Sequence, residues 1–311
     1  MSIHVFSHAS AAAHDPGPGH PEGPVRIQAI EAALAEASPR GIVRLEAPRA
    51  SRDQLRLAHP DRYIDHILDN VPSTGYARLD GDTVMSPASG DAALRAAGGA
   101  CAAVDAVFSN ATRRAFSLMR PPGHHAEPEE AMGFCLFNSI AIAALHARAV
   151  HGVQRIAIFD FDVHHGNGTQ AIFFDDPDTL YLSTHQMPLY PGTGARSETG
   201  SHRTIVNRPC PPGTGSKAWR QVVENEILTA IDGFAPGLVM LSAGFDAHEL
   251  DPLAQMELVE DDFRWAAERS VELAQRHSDG AVVSVLEGGY HPPALGRSVI
   301  AHLEGLAGGS A

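Results

Sequence analysis

Short runs of apolar, often β-branched residues recur along the whole chain, separated by longer stretches in which apolar residues recur with helical spacing. The short runs are typical of buried strands, and the longer, alanine-rich stretches are typical of helices. The eight predicted strands cover 3–7, 42–45, 115–119, 156–161, 179–183, 204–206, 238–242 and 281–286. Helices are predicted over 91–108, 137–150, 219–231 and 262–276, and two more are expected to start at Val25 and near Gly168.

This alternation of strands and helices predicts the fold class. Parallel strands need crossover connections, which are usually helices, and these helices cover both faces of the sheet. We therefore expect an α/β protein with three layers, α/β/α, around a central, mainly parallel sheet of eight strands. No linker, charge run or internal repeat divides the chain, so residues 1–311 are predicted to form a single domain. The Gly- and Pro-rich pieces 15–24 and 190–200 are predicted to be surface loops, and 209–215 a turn.

Composition and charge narrow the class of function. The chain is 44% hydrophobic, which is enough for a large core, and its formal net charge is −14. Binding to nucleic acid draws on clustered Lys and Arg, so the acidic balance argues against a nucleic-acid partner and favours a cationic one.

The cysteines and the N-terminal residues indicate where such a protein works. Cys101, Cys135 and Cys210 are odd in number and widely spaced, which fits a reducing compartment better than a disulfide framework. The first residues lack the features of a secretory signal, and no apolar run approaches the ~18 residues of a membrane span. We expect a soluble, cytoplasmic protein without a membrane partner, and either a monomer or a homo-oligomer.

Titratable side chains and glycines follow four of the predicted strands directly. In an open parallel sheet, ligands bind beyond the carboxyl ends of the strands, so residues at these positions are candidates for function. The four segments are 120–126 (RPPGHHA), 160–168 (DFDVHHGNG), 243–248 (AGFDAH) and 287–290 (EGGY).

Three of these side chains form a candidate metal-binding set. Asp162, His164 and Asp246 offer two carboxylates and one imidazole, which suit a zinc-like divalent ion with open positions for water and substrate. Such an ion lowers the pKa of bound water toward ~7 and polarises a carbonyl oxygen, as hydrolysis of an unactivated amide requires.

The remaining polar residues suit proton transfer and oxyanion stabilisation. His124 and His125 are predicted to act as general base and general acid, and the Tyr290 phenol to donate a hydrogen bond to the oxyanion. Asp160 and Asn167 are predicted to hydrogen-bond the two imidazoles, fixing their tautomers and making their basicities unequal. Together these residues predict an amide hydrolase.

Structural roles are the alternatives for several of these residues. Asp160 and Asp162 are also placed to cap the helix near Gly168, and Tyr290 to pack as an ordinary buried aromatic. The segment 20–24 would then do no more than start the helix at Val25, with Pro24 setting its first turn.

At this point the chain resembles a known family. The segments 120–126, 133–138 (GFCLFN), 160–169, 242–248 and 286–290 are similar to the motifs of the histone deacetylase superfamily, which has the arginase-deacetylase fold. The resemblance extends from His20-Pro21-Glu22 to the last strand. The sequence EGGY, and Asn rather than Asp at position 167, resemble the class II and bacterial acetylpolyamine amidohydrolase branches.

The resemblance implies roles for individual residues. One Zn²⁺ per chain would bind Asp162, His164 and Asp246, and an acyl-lysine tunnel would lie between Phe134 and Tyr190. Either Asp82 or Thr83 would contact a substrate amide, and Arg26 would lie near the pocket floor. The substrate-binding set is Gly133, Phe134, Tyr190, Leu253, Gly289 and Asp82. Potassium ions would bind an inner site at Asp160, Asp162, His164, Ser183 and Thr184, and an outer site at the carbonyls of Phe173, Asp176 and Thr179.

The leading hypothesis is a zinc-dependent amidohydrolase that removes acetyl groups from acetyl-lysine side chains or similar acetylated amines. An acetylpolyamine amidohydrolase is the alternative, but the short span from Tyr63 to Asp82 has no long insertion that would narrow the pocket. A two-metal ureohydrolase needs a further carboxylate where Gly166 stands. A silent binder of acetylated ligands predicts a missing base or phenol, yet His124, His125 and Tyr290 are all present.

Overall fold

The molecule is described by a computed structural model that covers residues 2–308. Its strands are β1 (Ile3–Ser7), β2 (Ile42–Glu46), β3 (Ala77–Arg78), β4 (Val84–Met85), β5 (Arg114–Ser117), β6 (Ile156–Asp160), β7 (Thr179–Gln186), β8 (Ile205–Cys210), β9 (Leu238–Ala243) and β10 (Val282–Leu286). The helices are α1 (Ser10–Ala13), α2 (Val25–Ala37), α3 (Arg52–Leu55), α4 (Asp61–Asp69), α5 (Ser89–Phe108), α6 (Ser139–His151), α7 (Asn167–Phe173), α8 (Ser216–Val222), α9 (Thr229–Phe234), α10 (Glu260–His277) and α11 (Pro292–Leu306).

Eight of the strands form one sheet in the order β2-β1-β5-β10-β9-β6-β7-β8. Every neighbouring pair in this sheet is parallel, which confirms the predicted α/β class and the number of strands. The inner strands are buried along their whole length because helices cover both faces, so they consist of nearly uninterrupted apolar residues. The short strands β3 and β4 form a separate antiparallel pair.

The helices lie in two layers, one on each face of the sheet. On β5, the Phe116 ring lies 5.6 Å from the ring of His302 on α11. The next residue, Ser117, faces α5, where a methyl group added at Gly99 would lie 3.0 Å from the serine oxygen. Successive side chains of a strand point to opposite faces, so α11 and α5 cover opposite sides. Helices α2 and α10 pack beside α11, and α6 packs beside α5, which completes the predicted three layers.

The observed elements differ from the predicted ones at several places, and helices α1, α3 and α4 and the β3–β4 pair were not predicted. Strand β8 continues to Cys210, whereas a turn was expected from Pro209. Because β8 is an edge strand, Pro209 can lack an N–H without breaking the ladder to β7. The helix predicted over 219–231 is divided by a π-helical segment, Val223–Leu228, and α11 was missed because it opens with two prolines.

Two expectations about the chain as a whole can be compared with the structure. All three cysteines are buried and free, so no disulfide joins them. No helix within residues 2–308 is both long and apolar enough to cross a membrane.

The topology brings the four polar segments together. Strands β5, β10, β9 and β6 are consecutive neighbours at the centre of the sheet. Each is followed by one of these segments, either at once or, for β5, after Leu118 and Met119, and parallel strands have their carboxyl ends at one edge. Residues far apart in sequence therefore meet above the middle of the sheet.

Candidate active site

Two carboxylates and one imidazole converge above the ends of β6 and β9. The Nδ1 atom of His164 lies 3.1 Å from Asp162 Oδ1 and 3.1 Å from Asp246 Oδ2. The three potential ligand atoms all lie within 4.8 Å of one another, and all three residues are buried. The structure thus brings together the three residues predicted as metal ligands.

Backbone N–H groups fix both carboxylates in this position. Asp162 accepts hydrogen bonds from the backbone of His164 at 2.9 Å and of Gly288 at 2.8 Å. Asp246 accepts one from the backbone of Val163 at 2.8 Å. Buried carboxylates are costly unless they are hydrogen-bonded or paired with a cation, so these donors help to hold the pair in place.

The space and the charge around these residues fit a divalent cation. Only glycine fits beside the two carboxylates. A Cβ atom at Gly244 would lie 2.0 Å from Asp162 Oδ2, and one at Gly288 would lie 2.1 Å from Asp246 Oδ2, so either would clash. Burial alone would lower the pKa of His164, but hydrogen bonds to Asp162 and Asp246 raise it to about 10. Burial and the charge of Asp162 raise the pKa of Asp246 to about 7. The cluster thus carries excess negative charge, which a bound cation would neutralise.

The two adjacent histidines are held by different partners. The Nδ1 atom of His124 lies 3.0 Å from Asp160 Oδ2, and the Nδ1 atom of His125 lies 2.8 Å from Asn167 Oδ1. Both partner atoms are acceptors, so each ring donates from Nδ1, and His125, which lines the cavity, keeps Nε2 available for a ligand. Asp160 and Asn167 therefore have the geometry expected of residues that fix the tautomers.

The different partners give the two imidazoles opposite electrostatic environments. Burial disfavours charge on His124, but the Asp162 and Asp160 carboxylates raise its pKa well above the usual value. Burial, together with the positive charges of His124 and His164, lowers the pKa of His125 well below that value. One ring is therefore stabilised as a cation and the other as a neutral base.

Three residues that support this pair were missed by sequence reasoning. Glu127 Oε1 accepts a hydrogen bond of 2.8 Å from Asn167 Nδ2, which turns the amide oxygen of Asn167 toward His125. The Tyr181 phenol donates to Asp160 Oδ2 at 3.1 Å. Glu287 Oε2 accepts from the backbone of Gly123 at 2.7 Å and of His124 at 3.1 Å. Only Glu287 carried a local signal, since it stands in the EGGY segment.

Gly166 occupies the point where several of these groups meet. A Cβ atom there would lie 2.3 Å from Asp160 Oδ2 and 2.7 Å from the Tyr181 hydroxyl. Position 166 therefore cannot carry the extra carboxylate of a two-metal centre without displacing the partner of His124. Gly166 is also the N-cap of α7 and no side chain caps that helix, so Asp160 and Asp162 do not act as its caps.

Tyr290 lies across the cavity, beside a buried cluster of charged residues. Its backbone N–H donates to Asp251 at 2.6 Å, and the Arg26 guanidinium lies 4.9 Å from the centre of its ring. Arg26 also donates to the carbonyl oxygen of Gly289 at 2.6 Å and to Glu22 at 2.9 Å. Burial raises the pKa of Tyr290 well above its usual value, so the phenol keeps its proton.

A cavity of about 240 Å³ leads from the surface to these groups. Gly289, which was predicted to bind substrate, is not among the residues that line this cavity. Phe134 and Tyr190 supply aromatic walls, and the ring of Tyr190 lies 5.2 Å from that of His125. The lining residues are Asp82, His125, Gly133, Phe134, His164, Leu189, Tyr190, Leu253 and Tyr290.

The wall around Phe134 is built from unusual backbone. Gly133 and Phe134 have φ angles of 57° and 69°, and the second is a conformation that costs a non-glycine residue about 1–3 kcal/mol. A Cβ atom at Gly133 would lie 2.4 Å from the His125 ring. Thr83 is buried and accepts a hydrogen bond from the Phe134 backbone, whereas Asp82 lines the cavity. Of the two residues, Asp82 is therefore the one available to a ligand.

The residues that match monovalent-cation sites lie beside β7. Ser183 Oγ is 2.8 Å from His185 Nδ1, and Thr184 Oγ1 accepts from the Trp219 indole at 3.1 Å. In the outer set, the carbonyl of Phe173 accepts from the Asp176 backbone. Potassium binding at these positions stays a prediction.

The chain is similar to known proteins over nearly its whole length. A model of the histone deacetylase domain matches residues 20–306. A histone deacetylase-like amidohydrolase of Pseudomonas aeruginosa is 39% identical over 296 residues, which cover 93% of this chain and 78% of that protein. A probable deacetylase of Methanothermobacter thermautotrophicus is 41% identical over 298 residues, covering 93% of this chain and 86% of that protein. The crystal structure of an HDA15 HD domain superposes with a TM-score of 0.93 at 34% identity, covering 99% of this chain and 89% of that one.

Proposed function

The chain belongs to the histone deacetylase family and is a hydrolase that acts on amide bonds, and from this premise we propose that it deacetylates alkyl amines with one zinc ion. The proposed substrates are acetyl-lysine side chains or similar acetylated amines. The observation that carries the proposal is the convergence of metal donors, a histidine pair and a phenol at one cavity.

Asp162, His164 and Asp246 are the residues that would hold the zinc ion. When bound, zinc activates water and polarises the acetyl carbonyl oxygen. Two carboxylates and one imidazole leave coordination positions open, as catalytic zinc sites require. The backbone donors to Asp162 and Asp246 keep these carboxylates oriented during turnover.

His125 is the proposed general base. Its Nε2 lone pair is free because Nδ1 donates to the neutral amide oxygen of Asn167. It takes a proton from the water that attacks the acetyl carbon and then passes a proton to the leaving amine nitrogen. His124, paired with the Asp160 carboxylate, supplies positive charge beside the same groups.

Tyr290 is the proposed oxyanion donor. It lines the cavity together with His125, and its hydroxyl would donate a hydrogen bond to the carbonyl oxygen as negative charge develops there. Arg26 donates to the carbonyl oxygen, and Asp251 accepts from the N–H, of the peptide group that joins Gly289 to Tyr290, so little reorganisation is needed during the reaction.

The cavity walls suit an acetamide on an alkyl stem. Phe134 and Tyr190 offer apolar surface to the stem, and Asp82 offers an acceptor to an amide N–H or a cationic group near the mouth. A small acetylated polyamine presents the same group, so it is the second candidate substrate. The span from Tyr63 to Asp82 holds most of α4 and strand β3 without a long insertion, which favours the lysine-type substrate.

A comparison of substrates tests this proposal. Zinc-loaded enzyme should release acetate from an acetyl-lysine peptide with a higher kcat/KM than from acetylputrescine or acetylspermidine. A higher kcat/KM for the polyamines would make them the favoured substrates in place of acetyl-lysine. If no acetylated amine is hydrolysed but urea is released from a guanidino compound, the proposal is wrong.

A further inference from the structure

A second group of potential metal ligands lies at the opposite edge of the sheet from the cavity. Asp105 is near the end of α5, and His146 and His151 are near the end of α6. Strands β5 and β6 begin shortly after these helices, so the group lies at the amino ends of the strands. It shares no residue with the cavity.

The three side chains already point at one another. A single oxygen, Asp105 Oδ1, lies 2.8 Å from Nε2 of His146 and 2.7 Å from Nε2 of His151. The three potential ligand atoms lie within 4.8 Å of one another, as they do in the buried cluster of Asp162, His164 and Asp246. Two imidazoles from one helix and a carboxylate from its neighbour thus enclose one small volume.

From this arrangement we propose that Asp105, His146 and His151 bind a second divalent cation of the borderline class, such as Zn²⁺. Two imidazoles and one carboxylate favour zinc, cobalt, nickel or copper over the oxygen-preferring Mg²⁺ and Ca²⁺. The cation takes the place of the ring protons that now point at Asp105. Solvent supplies the remaining ligands, because the Asp105 side chain is 50% exposed.

The surroundings of the three side chains suit this exchange, because two imidazoles are fixed and the carboxylate can move. A tetrahedral site with bonds of about 2.0–2.1 Å places its ligand atoms roughly 3.3 Å apart, so the distance from Asp105 Oδ1 to each imidazole nitrogen must grow by about 0.5 Å. His146 is fixed by burial, and His151 is fixed by stacking on Phe108 at a ring distance of 5.1 Å. The exposed Asp105 carboxylate can move outward by this amount without disturbing the core.

The proposed cation would link the C-terminal ends of α5 and α6. A ligand that binds only the folded chain stabilises it, by an amount that grows with the ligand concentration. Adding zinc should therefore raise the melting temperature of enzyme whose active centre is already loaded, and should leave deacetylase activity unchanged.

Isothermal titration of Zn²⁺ into the one-zinc enzyme tests the proposal. The wild-type chain should bind one further zinc per chain, and His151→Gln and Asp105→Asn should each lose that binding while keeping full activity. His277→Gln is a matched control. His277 is 21% exposed, as His151 is, and its Nε2 lies 2.7 Å from Asp232, but no second imidazole joins that pair.

Zinc binding by the wild type and the three variants decides whether the site exists. Loss of the second zinc in His151→Gln and Asp105→Asn, with its retention in His277→Gln, supports the site. A wild-type chain that binds no second zinc would overturn the proposal, as would equal binding by wild type and His151→Gln. Added zinc should likewise raise the melting temperature of the wild type and of His277→Gln, but not that of His151→Gln or Asp105→Asn.

Discussion

The molecule holds two clusters of histidine and aspartate that offer the same types of ligand atom in different surroundings. In the cavity, Asp162 and Asp246 flank His164, and all three are buried. At the other edge of the sheet, one half-exposed aspartate faces two imidazoles. The first cluster has carboxylates aimed by backbone N–H groups, whereas the second is held by helix packing and ring stacking.

This difference shows what a catalytic site requires beyond a set of ligands. Backbone donors keep the buried carboxylates oriented, and the adjacent His124 and His125 add groups that move protons. The outer cluster, formed by Asp105, His146 and His151, shares no residue with the cavity. Changes at the cavity should therefore alter catalysis strongly, and changes at the outer cluster should leave it intact.

The largest effect is expected from removal of the proposed base. His125→Ala should reduce kcat by roughly 10²–10⁴-fold, because a positioned general base contributes about that much. Acetate release from an acetyl-lysine peptide measures the loss, and zinc content should stay near that of the wild type. A variant with wild-type kcat would remove His125 from the mechanism.

Loss of the phenol should have the next largest effect. Tyr290→Phe keeps the ring that faces Arg26 but removes the hydroxyl, so kcat should fall by roughly 10²–10³-fold while KM changes little. The same assay checks this, with zinc content measured in parallel. Unchanged turnover would contradict the role as oxyanion donor.

A smaller effect is expected from Glu127, which acts through Asn167. Glu127→Ala should lower kcat about 10-fold, since the Asn167 amide is no longer held with its oxygen toward His125. Glu127→Gln keeps an acceptor oxygen and should recover most of this loss.

The coupling between Glu127 and Asn167 can be measured directly. The double variant Glu127→Ala, Asn167→Ala should be no slower than Asn167→Ala alone. Both changes break the same series of hydrogen bonds, which runs from Glu127 through Asn167 to His125. Additive losses, or a Gln variant slower than the Ala variant, would show that Glu127 does not position Asn167.

The smallest effect on catalysis, but a clear one on stability, is expected from His59. This buried imidazole accepts from the Asn138 backbone and has no carboxylate partner, so burial lowers its pKa to about 4. Its contribution to stability is complete above the unfolded pKa of about 6.5 and is lost as the pH falls from there toward 4. The full loss is about 3 kcal/mol.

Denaturant unfolding at several pH values checks this loss. The wild type should become less stable between about pH 6.5 and pH 4 by more than His59→Gln does, since glutamine has no proton to gain. If the free energy of unfolding depends on pH in the same way in both proteins, His59 is not the cause of the loss.

Sequence patterns predicted the fold well because each strand is locally encoded. The eight strands of the sheet and the polar segments after four of them were evident in short stretches of sequence. The extension of β8 through Pro209 depends on its place at the edge of the sheet, which no local pattern reveals. Likewise, α11 begins with two prolines, which break a helix in its interior but are tolerated in its first turn.

The supporting residues of the site were harder to find, for a related reason. Glu127 and Tyr181 act on Asn167 and Asp160, which lie 40 and 21 positions away along the chain. In the sequence, Glu127 has the ordinary explanation of an exposed glutamate that follows two histidines. Tyr181 has the ordinary explanation of an aromatic residue within a strand. Their contacts become visible only when the strand ends are placed side by side. The roles of the predicted site residues stay predictions until they are tested by substitution.

The central claim is that one zinc ion, held by Asp162, His164 and Asp246, suffices for deacetylation. The most direct test adds zinc in known amounts to metal-free enzyme and follows acetate release from an acetyl-lysine peptide. Activity should rise in proportion to zinc and level off at one zinc per chain, with the same end point in His151→Gln. Activity without any metal, or an end point at two zinc ions per chain in both proteins, would contradict the account.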